Sequence, residues 1–116
     1  MTGRVFCTQR PRSGINLDTT NASDFGEVEY LVEHSNPLDV GAVFARIKRA
    51  IDDACFDPND YLVIVGGHML LVAAFAAAFA RFERIKQTGM GLKVLVFDAR
   101  ADEYIEKRVT REMLSL

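Results

Sequence analysis

The residues best suited to chemistry stand at two places, Gly66-Gly67-His68 and Asp98-Ala99-Arg100. A strand, helix, strand crossover between them would bring both to one edge of a parallel sheet. In such a sheet ligands bind beyond the carboxyl ends of the strands, where the first turn of a helix offers free N–H groups to an anion. His68 could meet Asp98, with Arg100 beside a phosphate or carboxylate. That is the chemistry of a small anionic, nucleotide-like ligand. The plainer reading of the same residues is a tight strand-to-helix turn that His68 solvates, with Asp98 and Arg100 as turn formers, and it needs fewer coincidences.

Stronger catalytic signatures are missing. A dinucleotide fingerprint needs glycines where His68 and Leu71 stand, and no glycine-lysine-hydroxyl end of a P-loop occurs anywhere. A phosphatase loop built on Cys7 would need an arginine where the chain has Ser13, and no serine has the flanking glycines of a nucleophile elbow. Cys7, His34, Cys55 and His68 have no zinc-ligand spacing, so neither a metal nor a cofactor is expected. Glu27 and Glu29 share one strand face, a pattern that serves solubility at a sheet edge. The sequence therefore predicts a protein that is not an enzyme.

Around these residues the elements follow from pattern. Arg4 to Gln9 has strand composition and stops at Arg10-Pro11-Arg12-Ser13-Gly14. The polar stretch from Ile15 to Phe25 is expected to be a long loop and a candidate binding element. Glu27 to Glu33 alternates acidic and apolar residues, as a strand with one wet face does. Asn36-Pro37 is expected to open a helix, with Asp39 in its first turn and Val40, Val43, Phe44, Ile47, Ile51 and Ala54 on one dry face. Asp57-Pro58-Asn59-Asp60 ends it. Tyr61 to Val65 lacks polar alternation, which predicts a central strand covered on both faces.

Met69 to Phe82 forms the second predicted helix, apolar on nearly every side. One sheet covers only one side of a helix. The remaining apolar surface predicts a homodimer through Leu71, Val72, Phe75, Phe79 and Phe82. Leu92 to Phe97 is a further buried strand, parallel to the one at Tyr61. The tail reads two ways, as a helical stripe of Tyr104, Ile105, Val109 and Met113 or, the favoured reading, as a turn at Asp98 to Asp102 into a hairpin partner followed by a short helix. The sum is an α/β domain: one mixed sheet of four or five strands, a βαβ crossover and two main helices in 116 residues.

Bulk properties narrow the partners. A formal charge of −2 and a pI of about 5.6 argue against a broad grip on nucleic acid or anionic lipid, leaving Arg10-Pro11-Arg12 as the one candidate contact to a nucleic-acid phosphate. Cys7 and Cys55 sit in apolar contexts without a pairing motif, as buried thiols of a reducing cytoplasm do. No secretion leader is visible, so export is not expected. The run from Leu62 to Ala80 approaches the roughly 20 apolar residues that span a bilayer, with Arg81, Arg84 and Lys86 on its flank. Against a membrane segment stand the Gly-Gly-His interruption and the weak hydrophobicity of alanine.

Three stretches, Arg4-Val-Phe-Cys-Thr-Gln, Ala22 to Val32 with Asp-Phe-Gly-Glu-Val-Glu, and Asp60 to Arg100, together resemble a loose group of short uncharacterised proteins of tailed bacteriophages. The resemblance implies a protein made in the cytoplasm of an infected bacterium and carries no activity with it. It also implies the class of small phage proteins that act by occupying a host or phage protein. The expected function is thus a non-enzymatic interaction protein working as a homodimer. Binding of a small anionic ligand at Gly66, Gly67, His68, Asp98 and Arg100 is the alternative, and membrane association the third.

Overall fold

β-Branched and aromatic residues build a five-stranded sheet in the computed structural model, which describes residues 3–10, 25–33, 38–65 and 67–114. The elements follow one another as β1 (Val5–Gln9), β2 (Val28–Val32), α1 (Val40–Asp53), β3 (Tyr61–Val63), α2 (His68–Arg84), β4 (Leu92–Asp98) and β5 (Glu103–Val109). Their order across the sheet is β2-β1-β3-β4-β5. The first four strands are parallel and β5 returns antiparallel to β4, so the predicted α/β class, mixed sheet and crossover are present. β3 is central, as its unbroken apolar run predicts, although it ends at Val63 rather than Val65.

The path β2-α1-β3 steps over β1, and β3-α2-β4 steps to the next strand in the same direction. Both helices accordingly lie on one face of the sheet, where they pack on each other. Period-two alternation divides the strands between two cores. Phe6, Leu62, Leu92 and Val94 meet Val43, Ile47 and Ile51 of α1 and Phe79 and Phe82 of α2. Val5, Cys7, Val63, Val65, Leu95 and Tyr104 form the core of the opposite face. Three rings link the helix layer to the sheet: Phe56 stands edge-on to Phe6 at 5.5 Å and stacks on Phe82 at 5.9 Å.

Several boundaries differ from expectation. Asn36-Pro37 lies outside the described residues. α1 begins at Val40 because Asp39 caps it, its side chain accepting a hydrogen bond from the Ala42 N–H at 3.2 Å. Among the described residues the tail after β5 has no helix: residues 111–114 form one turn, closed by the Leu114 N–H on the Arg111 carbonyl. Cys55, expected to be buried, is exposed. Its φ of +54° reverses the chain at the end of α1 and sends Phe56, not the thiol, into the core.

The start of β1 is fastened by an ion pair. The Asp60 carboxylate, 4% exposed, accepts from the Arg4 N–H and guanidinium at 3.0–3.3 Å and from the Asp57 N–H. Beside it, a Cβ on Gly3 would sit 1.8 Å from the Asn59 carbonyl oxygen, so only glycine allows these two backbones to approach.

Candidate functional site

Parallel pairing of β3 with β4 places the residues after both strands at the same sheet edge, as the sequence predicts. α2 starts there with Gly67 as its cap, in extended conformation (φ −82°, ψ −179°) and without a side-chain cap bond. His68 is the first helical residue and is exposed. Asp98 stands across the edge, where its Oδ1 accepts from the Arg100 N–H at 3.0 Å and the Ala101 N–H at 3.4 Å. Those bonds fold the turn between β4 and β5. Among the described residues no hydrogen bond or ion pair joins His68 to Asp98 or Arg100, and Gly66 lies outside them. The edge thus holds a helix start with free N–H groups, an exposed imidazole and an exposed guanidinium, not a closed constellation.

Thr8 contributes to this edge without any sequence signal. Its hydroxyl, fully buried, donates to the Val65 carbonyl at 2.6 Å and accepts the Val65 N–H at 2.7 Å, carrying the β1–β3 pairing past the end of β3. Arg10, the phosphate-contact candidate, lies over the Tyr30 ring at 4.3 Å and pairs with Glu33 at 2.6 Å, which favours its charged form. Pro11, Arg12 and the stretch from 15 to 24 fall outside the described residues. Burial pushes the Cys7 thiol up to about 11, so it is no nucleophile at neutral pH. Among the described residues no cluster of His, Cys, Asp and Glu could hold a metal ion.

The second candidate surface is the outer flank of α2. The sheet takes one side of this helix and α1 another, which absorbs Leu70, Ala73, Ala74, Ala77 and Ala78. Phe79 and Phe82, 3% and 0% exposed, belong to the chain's own core. Leu71 and Val72 remain 39% and 44% exposed, with Phe75 half-buried beside them. Next to this flank, the helix side of the β4–β5 hairpin is also bare: Val96, directly opposite Ile105 in the ladder, is 50% exposed. Between α2 and the turn after β5 runs a groove of about 510 Å³, lined by apolar side chains, Leu114 among them, and by Glu83 and Arg111. A smaller hollow of about 310 Å³, sharing Leu71 and Phe75, continues it toward Val96. Of these lining residues the sequence marked Leu71, Val72, Phe75 and Phe79, but Val96, Arg111 and Leu114 join them only through the fold.

No helix among the described residues is long and apolar enough to cross a membrane. No curated protein and no solved structure matches the chain. A family model described as phage Pam3 gp32-like protein matches residues 3–111, spanning every strand and helix above; the chain belongs to the phage Pam3 gp32-like family.

Proposed function

We propose that this phage-family protein is a non-enzymatic interaction protein that works through the outer flank of α2. It acts as a homodimer that engages a host or phage protein in the bacterial cytoplasm. The observation that supports this reading is the unfinished layer on the helix side of the sheet. Two helices cover β2, β1, β3 and part of β4, while Leu71, Val72 and Val96 stay open to water beside a 510 Å³ apolar groove. Contiguous apolar surface of this kind marks an interaction site more often than a solvated face. Light scattering behind a sizing column, without detergent, tests it. The chain is expected to run as a dimer, and Leu71→Glu with Val72→Glu as a monomer with an unchanged circular dichroism spectrum. A dimer that survives both charges would remove this flank from the function.

A second reading, binding of a small anion at the sheet edge, is supported by the uncapped N-terminus of α2 next to exposed His68 and Arg100. It predicts that phosphate or a nucleotide raises the melting temperature and that Gly67→Asp or Arg100→Ala abolishes the rise. No rise in the unsubstituted chain removes this reading.

A further inference from the structure

We infer that the groove beside α2 is filled by a second copy of this chain, across a two-fold axis that sets Glu83 of each copy against Arg111 of the other. The inference rests on the reading of this flank as an interaction face and names what covers it. Seven of the nine residues lining the groove are apolar, and the two charged ones have opposite signs. Neither Glu83 nor Arg111 makes a side-chain hydrogen bond or ion pair among the described residues. The other helix-layer arginines near α2 do: Arg84 pairs with Asp52, and Arg81 Nε donates to the Phe56 carbonyl at 3.1 Å.

A lining with one acid and one base has no net sign with which to select an acidic or a basic partner. It is, however, its own complement. In an isologous interface residue i meets residue j and j meets i, so a two-fold axis through the apolar strip answers both charges at once. Covering the strip with an uncharged surface would bury both groups unpaired, which is costly. A second copy brings the missing partner for each and lays Leu71, Val72 and Phe75 against their equivalents. Ala76 and Ala80, which line both this groove and the neighbouring hollow against α1, leave room for a close approach of the two helices.

Charge reversal with mixing tests the arrangement on the full chain, read by sizing with light scattering and by circular dichroism for the fold. Glu83→Arg and Arg111→Glu are each expected to weaken the homodimer about tenfold, since two symmetric attractive contacts become repulsive. An equimolar mixture of the two variants is expected to regain the dimer as a mixed species, because both cross-contacts are then attractive. A Glu83–Arg111 pair within one chain would give no such recovery, and that result overturns the inference. So does a dimer unaffected by either reversal, which leaves the interaction face itself standing if Leu71→Glu with Val72→Glu still breaks it. A wild-type chain that stays monomeric at its highest soluble concentration overturns the second copy as occupant. Should the reversed variants fold poorly, Glu83→Gln and Arg111→Gln must weaken the dimer by a smaller factor, and failure to do so counts against the pairing.

Discussion

α1 and α2 lie side by side on the same face of the same sheet, 14 and 17 residues long, yet they meet water differently. α1 turns Val43, Ile47 and Ile51 inward and exposes Arg46, Lys48 and Arg49. Apart from Val40, 46% exposed at its first position, its exposed large side chains are charged. α2 turns Leu70, Ala74, Ala78 and Phe82 inward and still exposes Leu71 and Val72 on the far flank. Both helices solve the same burial problem, so the apolar flank of α2 is more than folding requires. Where one of two equivalent helices departs from the pattern that suffices for the other, the departure points to a role outside the chain.

The comparison breaks if the flank of α2 contributes to the fold as its inner side does. Phe82→Ala, which deletes a ring stacked on Phe56 and edge-on to Phe79, is expected to cost about 3–5 kcal/mol in urea unfolding. Ile47→Ala on the inner side of α1 should cost about 2–5 kcal/mol. Val72→Ala should stay within about 0.5 kcal/mol when the monomer's stability is measured. A large loss at Val72 in monomeric protein would make the flank structural.

The sheet beneath both helices carries a pH dependence that should leave this contrast untouched. The Cys7 thiol ionises near 9 in the unfolded chain and, through burial, near 11 in the folded one. Between those values the unfolded chain binds fewer protons than the folded chain. Stability therefore falls as pH rises from about 9 to about 11, by roughly 2–3 kcal/mol in all, and is unaffected below that window. Comparison with Cys7→Ala isolates the effect, since that variant should lack this part of the alkaline slope. Equal slopes in the two proteins would mean that the thiol is not buried as described.

Most of the fold is legible because it rests on local patterns. The apolar run at Tyr61, the dry face of α1, the crossover from β3 to β4 and the hairpin at Asp98 all come from spacing within one segment. What is not legible depends on contacts between segments. Nothing local places β1 between β2 and β3, or makes the Thr8 hydroxyl the partner of Val65. The stripe Tyr104, Ile105, Val109 and Met113 fits a helix by period alone, and pairing with β4 decides against it for all but the last. Ala54-Cys55-Phe56 reads as uniformly buried, because composition does not show a left-handed residue turning one side chain out. The proposed interaction flank is half legible: Leu71, Val72 and Phe75 follow from an over-apolar helix, while Arg111 and Leu114 reach it only after β5 returns along β4.

The N-termini sharpen the comparison at smaller scale. Asp39 caps α1, so Asp39→Ala should cost about 1 kcal/mol in thermal or urea unfolding. α2 has no side-chain cap. Gly67 lies at a φ and ψ open to any residue, and a Cβ there meets nothing within 4 Å. Gly67→Asp should therefore stabilise by about 0.5 kcal/mol, through a new cap and a carboxylate at the positive end of the helix. If the substitution instead destabilises, the open backbone at this edge is held for another purpose, and the anion reading gains weight.

The C-termini should show no contrast, which makes them the control. Both helices end in the same hydrogen-bonded reversal: Cys55 N–H to Asp52 and Phe56 N–H to Ile51 after α1, Lys86 N–H to Glu83 and Gln87 N–H to Phe82 after α2. The left-handed position that glycine usually takes is held by Cys55 at φ +54° and Lys86 at φ +59°. A side chain there costs about 1 kcal/mol or more, and glycine returns part of that gain as greater freedom in the unfolded chain. Cys55→Gly and Lys86→Gly are each expected to stabilise by about 0.5 kcal/mol, by the same amount in both helices and without any change in assembly. Unequal gains, or a shift in sizing on either substitution, would show that the two helices differ at their C-terminal ends as well, and the contrast along the outer side of α2 would lose its control.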